Sequence, residues 1–164
     1  MRQVISATPA QDVAPLAARL AAGAVLVADP SRALCSHYGY QTLHEVPIEL
    51  QKRLRREILR KHAEALFENA SCVCDHSVFA FLADWMRWLW SQTPADQWEA
   101  VLIEAYPAVQ RSERIHHVIA APSAVYDGHR WLDADNAKQL DRLMRSLYRE
   151  FGCEGRVIEV CVGP

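Results

Sequence analysis

Five short apolar runs, each separated from the next by a helix-like segment, constrain the fold of this chain more than any other feature of its sequence. They lie at residues 3–6, 24–28, 71–74, 116–120 and 156–161. Strands that are apolar nearly throughout are typical of a parallel sheet buried on both faces, and parallel neighbours need a long crossover, usually a helix. We therefore predict a three-layer α/β domain with helices on both faces of a five-stranded parallel sheet.

The segments between these runs carry apolar residues at helical spacing. We predict helices at residues 13–21, 49–68, 77–91, 95–106 and 135–151. Gly152 follows the last of them, where a glycine often caps a helix end. With 164 residues, 51% of them apolar, the chain is large enough to bury a core, and we predict a single domain over residues 1–164.

Charge and cysteine content narrow the class of protein. The net charge of −2 gives no general attraction to nucleic acid or to a membrane surface. No uninterrupted apolar stretch approaches the ~20 residues of a membrane span, and Arg19 interrupts the apolar segment 13–28 that could otherwise pass for a secretion signal. The five cysteines are an odd number without the spacing of a disulfide framework. We expect a cytoplasmic protein with no membrane partner.

The turn after the first strand occupies the place of a phosphate-binding loop but lacks its residues. A working loop has the form G-x-x-x-x-G-K-[ST], in which the glycines and the lysine bind phosphate and the hydroxyl binds magnesium. We align the helix PLAARL with the helix after such a loop. Ala7 and Asp12 then stand at the two glycine positions, Val13 at the lysine position and Ala14 at the position of the hydroxyl residue. These residues supply neither the cation nor the metal ligand. We therefore expect no nucleotide cofactor at this loop.

Asp12 gives a second reason to expect no bound anion. Followed by Val13, Ala14 and Pro15, it is predicted to be the N-cap of the first helix. Its carboxylate would accept the N–H groups that a phosphate would otherwise use, and its charge would repel a second anion. On this segment alone, an ordinary strand–turn–helix is the better interpretation.

Three further segments carry polar residues at the ends of predicted strands and before the last helix. They are "ADPSR", "CVCDHS" and "YDGHR". With these segments in this order, the chain resembles the P-loop kinase-type ATPases of the AAA_28 and nicotinamide-riboside-kinase group over nearly its whole length. The resemblance implies the strand order 2-3-1-4-5 and a phosphate loop that has decayed. His76 stands where this group often has arginine.

The resemblance also implies roles for individual residues. Asp29 and Arg32 match the acidic-x-x-arginine element after the second strand, and Asp75 matches the acidic end of the third strand. The element before the last helix is matched by Asp127, Gly128 and Arg130. A ligand pocket would contain Asp29, Arg32, Asp75 and Arg130, and the candidates for catalysis are Asp75, Asp127 and Arg130.

Two functions therefore stay open. In the first, a degenerate P-loop domain without phosphoryl transfer serves as a binding, assembly or regulatory module. In the second, the domain is a nucleotide-dependent kinase or ATPase that uses ATP and magnesium through an atypical loop. Fold resemblance does not choose between them, because function resides in the site. The missing loop residues favour the first.

Other candidate sites are weaker. Cys72, Cys74 and His76 have a C-x-C-x-H spacing that could hold a metal with His37 or His116, but two cysteines on one face of a buried strand more often pack as small apolar residues. We expect no metal. Residues 52–61, KRLRREILRK, hold six basic residues interrupted by apolar ones, which favours a solvated helix face over a nucleic-acid contact.

The segment 78–90, VFAFLADWMRWLW, is apolar on almost every helical face. Such a helix is usually buried in the core, but in a small domain one face could be covered by a partner. Trp85, Trp88 and Trp90 suit an interface. We expect a protein partner or a second copy of the chain, bound through whichever of these tryptophans faces outward.

Overall fold

Five parallel strands form one sheet at the centre of the structure. The computed structural model describes residues 1–8, 12–119, 125–126, 131–132 and 134–161. In chain order the strands are β1 (Arg2–Ser6), β2 (Val25–Val27), β3 (Cys72–Cys74), β4 (Arg114–Val118), β5 (Val125–Tyr126), β6 (Trp131–Leu132) and β7 (Val157–Val160). The large sheet has the order β2-β3-β1-β4-β7, and every neighbouring pair is parallel. β5 and β6 pair with each other in a separate sheet, so β7 corresponds to the fifth predicted strand. The predicted five-stranded sheet and its order 2-3-1-4-5 are therefore confirmed.

Six α-helices lie in the described part of the chain. They are α1 (Ala14–Leu20), α2 (Ser31–His37), α3 (Ile48–Glu68), α4 (Val78–Trp88), α5 (Ala95–Arg111) and α6 (Ala134–Glu150). Five correspond to predicted helices. The sequence pattern does not predict α2, nor the antiparallel pair of β5 and β6.

Two helix ends differ from the prediction. α4 ends at Trp88, and Trp90–Gln92 form a separate 3₁₀ turn instead of continuing the helix to residue 91. α5 continues through Pro107 to Arg111, although a proline removes one helical hydrogen bond. Ala108, just beyond the proline, is fully buried, and this packing outweighs the local preference to stop.

The sheet separates two cores. On one face, Val4 and Ile115 pack with the apolar sides of α3, α4, α5 and α6 in the larger core. On the other face, Ile5 and Val73 pack beneath α1, against Leu16, in the smaller core. Helices therefore lie on both faces of the sheet, as predicted.

α4 occupies the middle of the larger core. Residues 78–85 are all buried, and Phe79, Leu82 and Trp85 are among the largest side chains with almost no exposed surface. The lack of a polar stripe in this segment is therefore explained mainly by burial within the chain. None of the helices in the described ranges combines the length and hydropathy that a membrane span requires.

Candidate functional site

The loops that follow β1, β2 and β3 meet at one edge of the sheet, because these strands are parallel neighbours. Open α/β sheets bind their ligands at this carboxyl edge. Asp12, Asp29 and Asp75 belong to the three loops that meet here. The carboxyl edge is therefore the candidate functional site.

At the start of α1, after the β1 loop, most backbone N–H groups of the first turn are already hydrogen-bonded or are absent. Asp12 Oδ1 accepts a 3.0 Å hydrogen bond from the Ala14 N–H, and Pro15 has no N–H. The predicted N-cap is wrong by one residue: the cap is Val13, whose carbonyl accepts the first helical hydrogen bond and whose side chain makes none. The Asp12 carboxylate nevertheless accepts from an N–H group at the start of α1. Ala7 is buried beneath α1.

Asp29, after β2, holds the start of α2. Its Oδ1 accepts hydrogen bonds from the Ser31 N–H at 2.8 Å and from Ser31 Oγ at 2.5 Å. Arg32, which was predicted to share a ligand pocket with Asp29, is exposed on α2. The other predicted members of the site, Asp127, Gly128 and Arg130, lie outside the described residues.

Asp75 follows β3 and lies close to Asp29, so the structure brings these two predicted residues together. The Asp75 N–H donates to the Val27 carbonyl at 3.1 Å. Burial raises the pKa of the Asp75 carboxyl, and the charge of Asp29 raises it further, while His76 opposes the shift. Asp75 Oδ1 is buried and has no hydrogen-bond partner among the described residues. Such a carboxyl group is a candidate to bind a ligand or carry a proton.

A buried ion pair between α3 and α4 borders the same edge. Arg55 Nη1 donates to Asp84 Oδ2, and Arg55 is only 2% exposed. Within the described ranges, Arg55 Nε and Nη2 have no hydrogen-bond partner. A cavity of about 10 Å³ is lined by both side chains together with Asp29 and His76. It has room for about one water molecule.

The sequence pattern places Arg55 with the solvent-facing cations of residues 52–61, and the structure corrects this. Arg55 sits between Leu54 and Ile58 on the buried side of α3. The signal that could have found it is Asp84, the single acid in a helix whose one other charged residue is Arg87. A carboxylate in that position needs a buried cation as its partner.

His62 lies further along α3, beside the same group of residues. Its ring packs edge-on to Phe81 at a centroid distance of 6.3 Å, and Phe81 in turn contacts His76 at 4.2 Å. Burial, reinforced by the charge of His76, lowers the pKa of His62 to about 4. The imidazole is therefore neutral in the folded protein at neutral pH.

A chain of buried hydrogen bonds begins beneath the carboxyl edge and crosses the larger core. Ser6 Oγ lies 2.5 Å from Ser77 Oγ, and the Tyr148 hydroxyl also hydrogen-bonds Ser6. Tyr148 Oη lies 2.8 Å from His117 Nδ1, and His117 Nε2 lies 2.7 Å from Asp141 Oδ1. Ser6 and His117 are register partners in β1 and β4, so their side chains share a face of the sheet. These five residues form what we call the buried hydrogen-bond chain.

The chemistry of the groups fixes which atom donates at each step of this chain. The Asp141 carboxylate only accepts, so His117 carries its hydrogen on Nε2 and accepts at Nδ1. Burial lowers the pKa of His117, which keeps the ring neutral. Tyr148 therefore donates to His117, and the Ser6 hydroxyl donates to Tyr148. Ser77 donates to Ser6, accepts from a backbone N–H at 3.1 Å and caps α4.

At its outer end the buried hydrogen-bond chain reaches the surface. Asp141 Oδ2 accepts from Arg145 Nε at 2.9 Å, and Arg145 Nη1 donates to Glu159 Oε1 at 2.5 Å. No sequence pattern predicted this chain. A weak signal exists, since Asp141 and Tyr148 are seven residues apart and therefore lie on one side of α6.

The cysteines do not form a metal centre in the described part of the chain. Cys72 and Cys74 are buried in the larger core, and burial raises the pKa of both thiols. Among the described residues, no group of three or more His, Cys, Asp or Glu side chains could hold a metal ion. His37, considered as a further ligand, is exposed, whereas Cys72 and Cys74 are buried.

The three tryptophans predicted for an interface differ in exposure. Trp85 is 2% exposed and donates from Nε1 to Thr93 Oγ1 at 3.0 Å, so it belongs to the core. Trp88 is 37% exposed, with the Arg87 guanidinium 4.7 Å from its ring centroid. Trp90 is 52% exposed and packs edge-on against Trp98. We refer to Trp88 and Trp90 as the tryptophan surface.

Comparison with known proteins identifies the fold. No protein-family model and no curated protein sequence matches the chain. Among solved structures, it is similar to that of the NadR protein in complex with NAD and AMP-PNP, with a TM-score of 0.71 and 12% sequence identity. The likeness covers 99% of this chain and 45% of the NadR chain, so this chain spans less than half of that protein. The chain has a P-loop kinase-like fold.

The neutral state of His62 predicts a pH-dependent stability. Unfolded chains bind a proton at this residue below pH ~6.5, whereas the folded protein does so only near pH 4. As the pH is lowered through this window, the free energy of unfolding therefore falls by about 1.4 kcal/mol per pH unit. Urea unfolding between pH 7 and pH 5 measures this fall. His62→Leu should reduce the slope, and the exposed control His37→Gln should leave it unchanged. Equal slopes for the His62 variant and the wild type would contradict the prediction.

The buried hydrogen-bond chain predicts a stability loss on removal of one hydroxyl. Tyr148→Phe leaves the Ser6 hydroxyl without an acceptor and His117 Nδ1 without a donor, while their bonds to Ser77 and Asp141 stay, so the free energy of unfolding should fall by about 1–3 kcal/mol. The matched control is Tyr38→Phe, at an exposed tyrosine, which should change it by less than about 0.5 kcal/mol. Nitrogen NMR of the wild type should show the hydrogen on His117 Nε2. A hydrogen on Nδ1 would contradict the direction of the chain.

Proposed function

We propose that this chain is a non-catalytic domain of P-loop kinase-like fold that serves as a binding, assembly or regulatory module. The observation that carries the proposal is the hydrogen bond from the Ala14 N–H to the Asp12 carboxylate. Phosphate bound at this position needs converging N–H groups, a cation and a hydroxyl that binds magnesium. At the corresponding positions the sequence offers an aspartate and apolar side chains instead.

The charges at the carboxyl edge support the same proposal. Asp12, Asp29 and Asp75 occupy three adjoining loops, so a polyphosphate would approach carboxylates. Phosphoryl transfer depends almost wholly on positioning and charge stabilisation. Loss of the loop lysine alone should weaken nucleotide binding by about tenfold or more, because charge-assisted hydrogen bonds contribute about 1.5–3 kcal/mol each.

The tryptophan surface is the part of the domain that we propose for partner binding. Trp88 and Trp90 are large aromatic side chains at the end of α4, and both keep a substantial exposed area. Tryptophan is enriched among the residues that dominate binding energy at protein interfaces. The partner would be another protein or a second copy of this chain, and Trp90, the more exposed of the two, would be its anchor.

A nucleotide-dependent kinase or ATPase with an atypical phosphate loop is the second candidate. The observation that favours it is the Asp75 carboxyl, whose pKa is raised by burial at the end of the strand next to β1. Under this alternative, Asp75 would act with Asp127 and Arg130 on ATP and magnesium. Nucleotide titration separates the two candidates.

Purified protein is expected to bind neither ATP nor GTP at millimolar concentration, with or without magnesium, because the loop lacks phosphate-binding groups. Calorimetry and thermal unfolding measure this directly. A ligand at about 100 times its Kd adds about 2.7 kcal/mol to the free energy of unfolding, so an occupied site would be visible. A magnesium-dependent thermal shift at micromolar nucleotide that Asp75→Asn abolishes would overturn the proposal in favour of the kinase alternative.

Trp90→Glu is expected to convert a dimer to monomers in light scattering without changing the circular dichroism spectrum, because a charge at the anchor opposes burial in an interface. The matched control is Phe67→Glu, at an aromatic residue of α3 that is 67% exposed and lies outside the tryptophan surface. Equal dissociation of both variants would contradict the assignment of the surface. A wild-type protein that stays monomeric at high concentration would restrict the partner to a different protein.

A further inference from the structure

A groove between α3 and α5 carries charges that the carboxyl edge does not use. The two helices pack against each other, and a groove of about 460 Å³ opens along their outer side. Four cations of α3 line it, namely Lys52, Arg53, Arg56 and Arg60. We call it the basic groove.

Two of these cations are neutralised inside the basic groove. Lys52 Nζ lies 3.1 Å from a carboxylate oxygen of Glu49. Arg56 forms a bidentate pair with Glu104 of α5, with Nε–Oε2 and Nη2–Oε1 distances of 3.0 and 2.5 Å. The pairing raises the pKa of Arg56. The Arg56–Glu104 pair ties α3 to α5, whereas Lys52–Glu49 lies within α3, and together they leave the groove with an excess of positive charge.

The excess charge resides on Arg53 and Arg60. Both are exposed, and neither makes a hydrogen bond or ion pair with any residue in the described ranges. They are seven residues apart, so they lie on the same side of α3 and are separated by about 10 Å along its axis. The basic groove thus presents two uncommitted guanidinium groups at a spacing of two helical turns.

We propose that the basic groove binds an acidic helix of a partner protein, with carboxylates two turns apart that pair with Arg53 and Arg60. Carboxylates at positions i and i+7 of a helix have the same spacing as these arginines, and the guanidinium fork binds a carboxylate through two hydrogen bonds. A trough between two packed helices is a surface on which a third helix can lie. The residues that line the groove include none of the aspartates of the carboxyl edge and neither Trp88 nor Trp90, so the proposal does not depend on whether the domain binds a nucleotide.

The charges of the groove favour such a helix over a nucleic acid. Glu49 and Glu104 line the groove among the cations, and they would repel an unbroken phosphate backbone. Trp85, the aromatic residue of the lining, is 2% exposed and offers no face for a base to stack on. Separate carboxylates on a helix can contact the arginines while avoiding both glutamates.

The test is a fluorescence anisotropy titration of the full chain with a labelled, alanine-rich helical peptide of about 20 residues that carries two glutamates seven positions apart. A peptide with glutamine at both positions is the ligand control. The protein variant is Arg53→Gln with Arg60→Gln, both at exposed positions. Lys138→Gln with Arg142→Gln, at exposed cations of α6, is the matched control because it removes the same charge.

The glutamate peptide is expected to bind more tightly than the glutamine peptide, and the Arg53/Arg60 variant should weaken this binding about tenfold, as expected for two exposed ion pairs. The α6 variant should leave the binding unchanged. Equal affinity for the two peptides, or equal loss in both variants, would overturn the proposal. Displacement of the peptide by an equal concentration of a single-stranded RNA oligonucleotide would overturn it as well, and would identify the basic groove as a phosphate site.

Discussion

The structure depends on the burial of β1, the central strand of the sheet, from Gln3 to Ser6. β1 pairs with β3 on one side and with β4 on the other, and Val4, Ile5 and Ser6 have no exposed surface. The two apolar side chains meet this constraint by packing into the two cores, but Ser6 carries a hydroxyl into the larger one. A buried hydroxyl is costly unless it finds partners within the protein. The buried hydrogen-bond chain supplies them, and it thereby joins β1 to α4, β4 and α6 through directional contacts as well as through packing.

Local patterns explain which parts of this structure could be predicted from the sequence. Apolar runs and helical spacing predict the five strands and five of the helices, and the strand order follows from the resemblance to P-loop kinases. The hydrogen bond of Asp12 to the start of α1 is local, and its position was predicted to within one residue. The pair Arg55–Asp84 and the contact of Tyr148 with His117 join residues 29 and 31 positions apart. Their meeting depends on how whole helices pack, which no local pattern contains.

Fold and phosphate chemistry are specified by different residues in this chain. The parallel sheet needs apolar side chains on both faces of β1 and β3, and these are present. Phosphate binding of the G-x-x-x-x-G-K-[ST] kind would need a few particular residues in the loop after β1, and in the alignment that we propose Asp12, Val13 and Ala14 stand there. The two sets of residues do not overlap, so the chemistry can be lost while the fold is kept. The similarity to NadR at 12% identity is consistent with this separation, because it extends over nearly the whole of this chain.

The fixed direction of the buried hydrogen-bond chain has a consequence for how this sequence can change in evolution. Each hydroxyl accepts from one neighbour and donates to the next, so replacing an inner member takes one hydrogen bond from each of its two neighbours. Replacing adjacent members together by apolar residues of similar shape removes both partners of each bond between them, so the cost is confined to the two ends of the replaced stretch. Ser6, Tyr148 and His117 should therefore be inherited as a unit. Related chains should carry either the full set or an apolar substitute for all three, with few intermediates between the two.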